Sequence, residues 1–447
     1  MEIQFNKDFK WGAATAAYQI EGAYNKDGRG LSIWDTFSHT KNNVLNNDTG
    51  DEACDHYNKY EEDIELMKAM GLETYRFSIA WPRIFPKGTG EINERGLEFY
   101  DNLIDSLVAA GIEPAITLYH WDLPQALQDQ GGWENRLTVE AFVNYAEVVF
   151  NAFGDKVNTW ITHNEPFVVA FHGNSSGDHA PGIKDHETAL KVAHNLLVSH
   201  GLVVQKFREM SISGDIGLTL NLTTAYPLTT SKDDQEAAEL YEAYYNGWFL
   251  DPIFKGKYPK KLLKIYEEKY GHIDYLKEDM EIIKESIDFL GINYYSRGLV
   301  EKDESADFFG IKTIKPDTSD YTAMNWEIYP EGLYDLLVNI SENYTKLPLY
   351  ITENGAAFND EIVNGEVNDR DRVNYLKGHF KAAYNAIKDG VNLERYYVWS
   401  LMDNFEWAFG YSKRFGIIYV DYTTKERTLK KSAHWYKKVI ENNGFDL

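Results

Sequence analysis

Two glutamates in the chain follow short apolar segments in the same way, and together they could carry out acid and nucleophile chemistry. Glu165 follows residues 160–164, and Glu353 follows residues 349–352. A carboxyl group that faces another carboxylate in a partly dry pocket is driven towards its protonated form, whereas one held by a cation stays ionised. A protonated and an ionised carboxyl group on either side of one bond are what glycoside hydrolysis requires. Either glutamate alone would more often be a solvated loop residue, so the prediction depends on the pair.

Eight segments of strand type recur along the chain and must position these glutamates. They are rich in β-branched and aromatic residues and cover 11–17, 74–80, 115–120, 158–164, 216–221, 289–294, 348–352 and 395–400. Helical patterns lie between them, the clearest starting after Asp55 as a possible N-cap and stopping at Gly71, and another stopping at Gly111. This alternation is typical of parallel α/β units, and eight of them predict a closed (β/α)8 barrel of the TIM type. A doubly wound dinucleotide fold is disfavoured, because no G-x-G-x-x-G turn follows the first strand.

The length and composition favour one α/β domain. A minimal barrel takes roughly 250 residues, so about 200 remain for enlarged βα loops. No Pro/Ser/Gly-rich linker or break in composition divides the chain, so residues 1–447 are predicted to form a single barrel domain. Active sites of such barrels lie at the carboxyl ends of the strands. The ends of strands four and seven face one another there, which would place Glu165 opposite Glu353.

Polar and aromatic residues near the ends of the other predicted strands complete the expected site. A sugar has apolar C–H faces and a rim of hydroxyl groups, so it is bound by a flat aromatic ring and by paired hydrogen-bonding groups. Residues of these kinds near the strand ends are Gln19, Glu21, Arg76, His120, Trp121, Asn164, Asn293, Tyr295 and Trp399. Considered singly, His120 could be a core histidine, Trp399 barrel packing and Arg76 a structural ion-pair partner.

Six motifs in chain order resemble those of family 1 glycoside hydrolases, the β-glucosidase family. They are residues 9–22 (FKWGAATAAYQIEG), 119–124 (YHWDLP), 162–166 (THNEP), 293–295 (NYY), 351–355 (ITENG) and 399–407 (WSLMDNFEW). Any one of them could arise by chance, but six in the same order along most of the chain could hardly do so.

The resemblance implies a retaining β-glycosidase that acts by double displacement on terminal β-D-glucosyl residues of cello-oligosaccharides and of aryl or alkyl β-glucosides. It implies Glu165 as the acid/base and Glu353 as the nucleophile, which Asn293 and Tyr295 would orient beside Arg76. The implied substrate-binding residues are Gln19, His120, Trp121, Asn164, Asn293, Tyr295, Trp326, Trp399, Glu406 and Trp407. No cofactor and no metal ion are expected. The rim residues could serve glucose, galactose or fucose, so the sugar preference stays open.

The segment after Glu165 departs from the family pattern. Phe167 stands where the family usually has Trp, and residues 172–182 contain several Gly, Asn and Ser residues. The alternative without a functional effect is that three small polar residues between glycines form only a flexible turn. This segment is expected to alter the leaving-group pocket, which leaves linkage, aglycone preference, glucose inhibition and transglycosylation open.

Three rival functions are disfavoured by particular residues. A 6-phospho-β-glycosidase needs a cationic clamp, for which residues 412–414 are candidates, but the Glu406 carboxylate would repel the phosphate. A non-catalytic sugar-binding barrel would be expected to lack one of the two glutamates. A metal-dependent barrel hydrolase would need a pattern such as H-x-H or H-E-x-x-H, and the 12 histidines form neither.

Charge, cysteine content and hydropathy predict the setting in which the protein works. With 45 Lys plus Arg against 70 Asp plus Glu, the net charge is −25, which disfavours nucleic-acid and anionic-membrane partners. Cys54 is the only cysteine, which excludes an intrachain disulfide and fits a reducing compartment. Residues 1–10 have no signal-peptide pattern, and the apolar runs are too short for a membrane span. A cytoplasmic protein acting on small β-glycosides is therefore predicted, with its oligomeric state open.

Overall fold

The computed structural model describes residues 2–271, 277–306 and 309–446. Eight strands form a closed barrel in which every neighbouring pair is parallel. In chain order they are β1 (Lys10–Ala14), β2 (Thr74–Ser78), β3 (Glu113–Tyr119), β4 (Thr159–Asn164), β5 (Asp215–Asn221), β6 (Phe289–Asn293), β7 (Leu349–Asn354) and β8 (Leu393–Trp399). Each strand pairs with its neighbours in sequence, and β8 pairs with β1 to close the barrel. The predicted (β/α)8 fold is confirmed.

All eight predicted strands are present, with differences at their ends. β1 ends at Ala14 rather than residue 17, because residues Ala17–Ile20 form a short helix. β7 continues two residues past the predicted end and includes Glu353. Gly12 shows how closely β1 and β2 approach, since a Cβ atom there would lie 2.5 Å from the carbonyl oxygen of Thr74.

Helices lie between the strands along the chain, and several of them contact the barrel strands. Their bounds are Ala17–Ile20, Ile33–His39, His56–Met70, Trp81–Ile84, Glu94–Ala109, Gln125–Gln128, Arg136–Phe153, His186–Glu209, Lys232–Glu242, Trp248–Lys255, Lys260–Tyr270, Lys277–Ile283, Pro330–Asn343, Arg370–Lys388 and Lys431–Asn442. Val168–Ser176 and Ala243–Gly247 are π-helical, and Leu45–Asn47, Gly132–Glu134 and Trp407–Phe409 are 3₁₀ turns. The helix after Asp55 ends before Gly71 as predicted, but the Asp55 side chain does not cap it. No helix within the described residues is both long and apolar enough to cross a membrane.

The enlarged βα loops carry small sheets of their own. Ala225–Pro227, Gly298–Lys302 and Ile311–Thr313 form a three-stranded sheet after β5 and β6. Ile362–Val363 pairs with Glu366–Val367 after β7, and Ile418–Val420 pairs with Arg427–Leu429 after β8. Glu2–Gln4 and Gly444–Asp446 pair and bring the two ends of the chain together. The elaborated βα loops expected from the length are therefore present.

A buried network of carboxylates and cations stabilises the segment that follows β8. Its members are Asp360, Asp369, Asp403, Arg372, Arg414 and Lys430. The fully buried Lys430 ammonium lies 2.5 Å from Asp360 and 2.6 Å from Asp403. Buried charges are tolerated when they are paired and hydrogen-bonded, and the charges of this network sum to zero. Because Asp403 lies three residues before Glu406, the network also holds the segment that carries a predicted site residue.

We expect Lys430→Met to destabilise the protein by roughly 3–5 kcal/mol, because it removes one partner from two buried carboxylates. Urea unfolding followed by tryptophan fluorescence measures the change. Lys437→Met is the matched control, because Lys437 is 44% exposed and lies 3.8 Å from Glu441; its free energy of unfolding should stay within about 0.5 kcal/mol of the parent. Equal stability of the two variants would contradict the structural role of the network.

Candidate active site

A cavity of about 500 Å³ opens at the carboxyl ends of the barrel strands. Most of the site residues predicted from the sequence line it: Glu165, Glu353, His120, Trp121, Asn293, Tyr295, Trp326, Trp399, Glu406 and Trp407. The remaining predicted residues, Gln19, Arg76 and Asn164, are fully buried and hydrogen-bond to residues of the lining. The structure therefore brings together all the residues that the family resemblance implies.

Local irregularities of two strands aim the glutamates into this cavity. The pairing of β4 with β5 shifts register between Ile161 and Asn164, and the pairing of β7 with β6 shifts between Ile351 and Glu353. Such bulges are common at barrel rims and redirect side chains. Glu165 itself has a φ of 48°. Left-handed backbone in a non-glycine residue costs on the order of 1–3 kcal/mol and persists where the surrounding structure holds it.

The Glu353 carboxylate is held by one cation and one phenol. Arg76 Nη1 donates to Glu353 Oε1 at 2.7 Å, and the Tyr295 hydroxyl donates to Oε2 at 2.6 Å. Burial raises the pKa of Glu353, and Arg76 and Tyr295 both oppose that rise. Arg76 is held in turn by Thr117 and by the Asn164 amide oxygen at 2.7 Å. These contacts stabilise the ionised form of Glu353.

Glu165 has a different environment. Asn293 Nδ2 donates to Glu165 Oε1 at 2.6 Å, and the same amide nitrogen lies 3.1 Å from Asn164 Oδ1. Burial raises the pKa of Glu165 to about 8, with the charge of Glu353 as the second cause. The Asn293 hydrogen bond and the more distant Arg76 only partly oppose this rise. The environment of Glu165 therefore favours its protonated form, whereas the contacts of Glu353 favour its anion.

Two buried polar atoms face the cavity region with unused hydrogen-bonding capacity. Asn164 Nδ2 donates to His120 Nε2 at 3.1 Å, so the proton of the neutral ring is on Nδ1. Gln19 Nε2 donates to the carbonyl of Phe405 at 2.8 Å and lies 3.5 Å from Glu406 Oε2. Neither His120 Nδ1 nor Gln19 Oε1 has a hydrogen-bond partner among the described residues. A buried donor and a buried acceptor of this kind suit the hydroxyl groups of a ligand.

Aromatic rings form the rest of the wall. The His120 ring is stacked 5.9 Å from Trp399 and 6.0 Å from Trp407. Trp326 lies 5.2 Å from the Tyr295 ring, on the same wall as the carboxylates. Trp399 approaches the end of β7 so closely that a Cβ atom at Gly355 would lie 1.6 Å from its carbonyl oxygen. Only glycine fits at that position, which explains why it follows the strand that carries Glu353.

Glu406 is the third buried carboxyl group of the cavity. The pKa of Glu406 is raised to about 8, mainly by burial and secondly by the charge of Glu353. The backbone N–H of Glu406 donates to the carbonyl of Gly410 at 2.7 Å, which closes the turn of residues 406–410. The 3₁₀ turn Trp407–Phe409 begins directly after it, with Trp407 at a φ of 47°. The side chain of Trp407 packs 4.5 Å from Trp121, whose Nε1 donates to the carbonyl of Asn164.

The structure excludes one strand-end candidate and one alternative for this region. Glu21 is buried away from the cavity, where it accepts from Arg83 at 2.7 Å and from Tyr100 at 2.6 Å, so it is a structural ion-pair residue. Residues 174–176 do not form a flexible turn but belong to the π-helical segment Val168–Ser176. The side-chain amide of Asn174 donates to the carbonyl of Val169 inside that segment, which is why small polar residues are compatible with it.

Several lining residues were not selected from the sequence. His172, Asp178 and His179 line the cavity, and the His179 ring lies 5.8 Å from Trp121. Arg297 and its ion-pair partner Glu327 line the cavity as well. The first three belong to segment 172–182, and only the unusual composition of that segment indicated a functional role. Arg297 and Glu327 come from loops with no motif that would single them out.

Comparisons with known proteins agree with this geometry. The model of the family described as Glycosyl hydrolase family 1 matches residues 1–445. Beta-glucosidase A of Acetivibrio thermocellus is 54% identical over 446 residues, covering 99% of this chain and 100% of that relative. The 6-phospho-beta-glucosidase GmuD of Bacillus subtilis is 40% identical over 462 residues, covering 99% of each chain.

A solved structure extends the agreement to three dimensions. The family 1 β-glucosidase from Thermotoga maritima superimposes with a TM-score of 0.97 at 49% identity, covering 100% of both chains. A family match over nearly the whole chain, with a barrel that follows a solved relative from end to end, shows that this chain belongs to glycosyl hydrolase family 1 and is an enzyme of that family.

Proposed function

We propose that the chain is a retaining β-glucosidase in which Glu165 is the acid/base and Glu353 is the nucleophile. The observation that carries the proposal is the pair of buried carboxyl groups with opposite environments. Arg76 and Tyr295 favour the anion of Glu353, and burial beside that anion keeps Glu165 protonated. These are the protonation states from which a double displacement starts.

The first step transfers the sugar to Glu353. A Glu353 carboxylate oxygen forms a bond to the anomeric carbon while the bond to the leaving oxygen breaks. Glu165 gives its proton to that oxygen, so an alcohol or a sugar leaves instead of an alkoxide. Arg76 and Tyr295 hold the attacking carboxylate in place through their hydrogen bonds at 2.7 and 2.6 Å.

The second step reverses the roles of the two residues. Once Glu353 is esterified it carries no charge, so the repulsion that helps to raise the pKa of Glu165 disappears. Glu165, now ionised, takes a proton from water as the water oxygen attacks the anomeric carbon. The ester bond to Glu353 breaks and its carboxylate returns to Arg76. Two displacements at one carbon release the sugar with its original β configuration.

The other cavity residues bind the sugar in this proposal. Gln19, His120, Asn164, Glu406 and Trp407 hydrogen-bond the hydroxyl groups, and Trp399 and Trp121 provide apolar surface. Trp326 lies where the leaving group enters, and Asn293 orients Glu165. We infer that terminal β-D-glucosyl residues of cello-oligosaccharides and of aryl or alkyl β-glucosides are the substrates, with β-galactosides and β-fucosides as further substrates.

The cations after β8 favour a neutral sugar over a 6-phosphorylated one. Lys413 Nζ donates to the carbonyl of Ala323 at 2.6 Å, and Arg414 lies 2.6 Å from Asp403. The Ser412 hydroxyl donates to the carbonyl of Phe409 at 2.8 Å. Arg414 is thus neutralised by Asp403, and Ser412 and Lys413 each donate to a backbone carbonyl, while Glu406 presents a carboxyl group to the cavity. A phosphate at this position would compete with the Glu406 carboxyl group for the charge of Lys413, which acts to lower the pKa of Glu406.

Substrate competition tests the proposed function. We expect kcat/KM for p-nitrophenyl β-D-glucoside to exceed that for its 6-phosphate by on the order of 100-fold or more, because the phosphate is desolvated beside a carboxyl group. The measurement is the initial rate of nitrophenol release from each substrate. Equal rates, or a preference for the phosphorylated substrate, would make the chain a 6-phospho-β-glucosidase instead.

The raised pKa of Glu165 predicts the alkaline side of the pH profile. The acid must be protonated in the free enzyme, so kcat/KM should fall as the pH rises through about 8. On the acidic side it should fall as Glu353 gains a proton. Glu165→Gln cannot titrate, so its residual kcat/KM on an activated aryl glucoside should show no alkaline fall between about pH 6 and 9. A persistent alkaline fall would assign it to another group, such as Glu406, and contradict the role of Glu165.

We also propose that residues 1–447 work as one catalytic domain in the cytoplasm, where they act on fragments of cellulose. The single cysteine supports a reducing compartment, and burial raises the pKa of the Cys54 thiol and suppresses its thiolate form. The thiol lies 3.0 Å from the carbonyl of Asp403, which suits a structural position. The acidic net charge supports small neutral substrates over nucleic acid or anionic membranes.

A further inference from the structure

We propose that His172, Asp178 and His179 form a binding site for a divalent transition metal of the Zn²⁺ class on the wall of the substrate cavity. These three residues, here called the rim cluster, all line the cavity that holds Glu165 and Trp326. A metal ion bound there would narrow the space that leads to the glutamates.

The distances within the rim cluster suit a single ion. One ligand atom from each residue lies within 4.8 Å of the others. His172 Nδ1 is 3.1 Å from both carboxylate oxygens of Asp178, and His179 Nδ1 is 3.8 Å from Oδ1. Ligands of a tetrahedral Zn²⁺ ion, with bonds of roughly 2.0–2.2 Å, lie roughly 3.3 Å apart. Small rotations of the side chains would therefore bring all three into coordination.

The donor set matches the chemistry of that class of ion. Two imidazole nitrogens and one carboxylate oxygen are ligands that Zn²⁺ accepts, and three protein ligands leave a fourth position for water. His179 Nδ1 is buried and makes no hydrogen bond with any described residue. A lone pair or proton is therefore left over at this nitrogen, which the hydrogen bond between His172 and Asp178 does not use.

The backbone and neighbouring side chains hold the cluster in place. His172 belongs to the π-helical segment Val168–Ser176, and the Ser176 hydroxyl donates to Asp178 Oδ1 at 2.5 Å. The His179 ring packs edge-on at 5.5 Å from Trp34 and 5.8 Å from Trp121. A site whose ligands are fixed beforehand loses less conformational entropy when the ion binds. His172 and Asp178 are 39% and 54% exposed, so an ion can reach them from solvent.

The alternative is that the rim cluster binds no metal ion and that its hydrogen bonds only stabilise the local conformation of the segment. Metal titration of the full-length protein, first treated with a chelator, distinguishes the two. Zn²⁺ is titrated against a chromogenic indicator, and Co²⁺ is titrated with its visible d–d absorption as the readout. We expect one equivalent to bind, and His172→Ala or Asp178→Asn to weaken binding by at least about tenfold.

A matched control is provided by another exposed histidine–carboxylate pair. His39 Nε2 lies 2.7 Å from Asp51, and His39 is 38% exposed, but neither residue lines the cavity. His39→Ala should bind Zn²⁺ and Co²⁺ as the parent does. Circular dichroism of the three variants checks that each is folded. The proposed site would be wrong if the parent binds neither Zn²⁺ nor Co²⁺, or if His172→Ala and Asp178→Asn both bind these ions as tightly as the parent does.

The position of the rim cluster gives a second readout, which rests on the proposed function. Zn²⁺ at the concentration that fills the site should raise the KM for cellobiose at least about threefold in the parent but not in Asp178→Asn. Unchanged kinetics with the site filled would overturn the inferred narrowing of the cavity. The indicator titration needs no substrate, so it decides the metal site even if the chain does not hydrolyse glucosides.

Discussion

Glu353→Ala is expected to lower kcat for every β-glucoside by at least about 10⁴-fold, because no other group can form the covalent intermediate. The carboxylate is the only one in the described part of the chain that both Arg76 and Tyr295 contact. The substitution removes the nucleophile Glu353 and leaves the acid Glu165 in place. The measurement is kcat for p-nitrophenyl β-D-glucoside and for cellobiose.

A small anion separates loss of the nucleophile from loss of the fold. Azide can enter the space left by the carboxylate and attack the anomeric carbon in a single displacement. Glu353→Ala with azide should therefore regain activity on an activated aryl glucoside and yield the α-glucosyl azide. Glu361→Ala is the control, because Glu361 is exposed in the same loop and should keep parental activity. Formation of the β-glucosyl azide by Glu353→Ala would contradict the assignment.

Glu165→Ala should separate substrates according to their leaving groups. Cellobiose has a poorly stabilised leaving oxygen, so loss of the acid should lower its kcat/KM by about 10²–10⁴-fold. The leaving group of a dinitrophenyl glucoside is a stable phenolate anion that needs no proton. The rate of glycosyl-enzyme formation from this substrate should therefore change by less than about tenfold. Comparison of kcat/KM for the two substrates, together with the burst of dinitrophenol in a stopped-flow experiment, measures the difference.

The outcome for Glu165→Ala has a clear alternative. An equal loss on both substrates would show that Glu165 does not act as a proton donor. The same variant with azide should give the β-glucosyl azide, since the anion then replaces water in the second displacement while Glu353 still performs the first. An α product from Glu165→Ala would exchange the roles of the two glutamates.

The barrel could be predicted because its parallel strands are largely buried and are rich in β-branched and aromatic residues. Strand ends were harder to predict, because they depend on contacts between segments far apart in sequence. β1 ends early because Ala17–Ile20 turns into a helix, in which Gln19 reaches Phe405 and Glu406. Glu353 lies within β7 rather than after it, since the register shift against β6 is a property of the pair of strands.

The site was predicted from motifs, but its fine geometry was not. The positive φ of Glu165 has no signature in single-residue propensities, because glutamate rarely adopts it without support from neighbours. Residues 174–176 lie in a π-helical segment instead of the alternative flexible turn, and the side chains of Asn174 and Ser176 hydrogen-bond to backbone carbonyls within that segment. Glu21 shares the polar type of the site residues, and only the positions of Arg83 and Tyr100 show that it is structural.

The measurement that tests the central claim most directly is proton NMR of the first minutes of hydrolysis of an aryl β-glucoside. Retention through a covalent intermediate on Glu353 requires β-glucose to appear first, with the α anomer growing in only as mutarotation proceeds. We predict this order. If α-glucose appears first, water attacks in a single displacement, and Glu353 would be a base for water instead of the nucleophile.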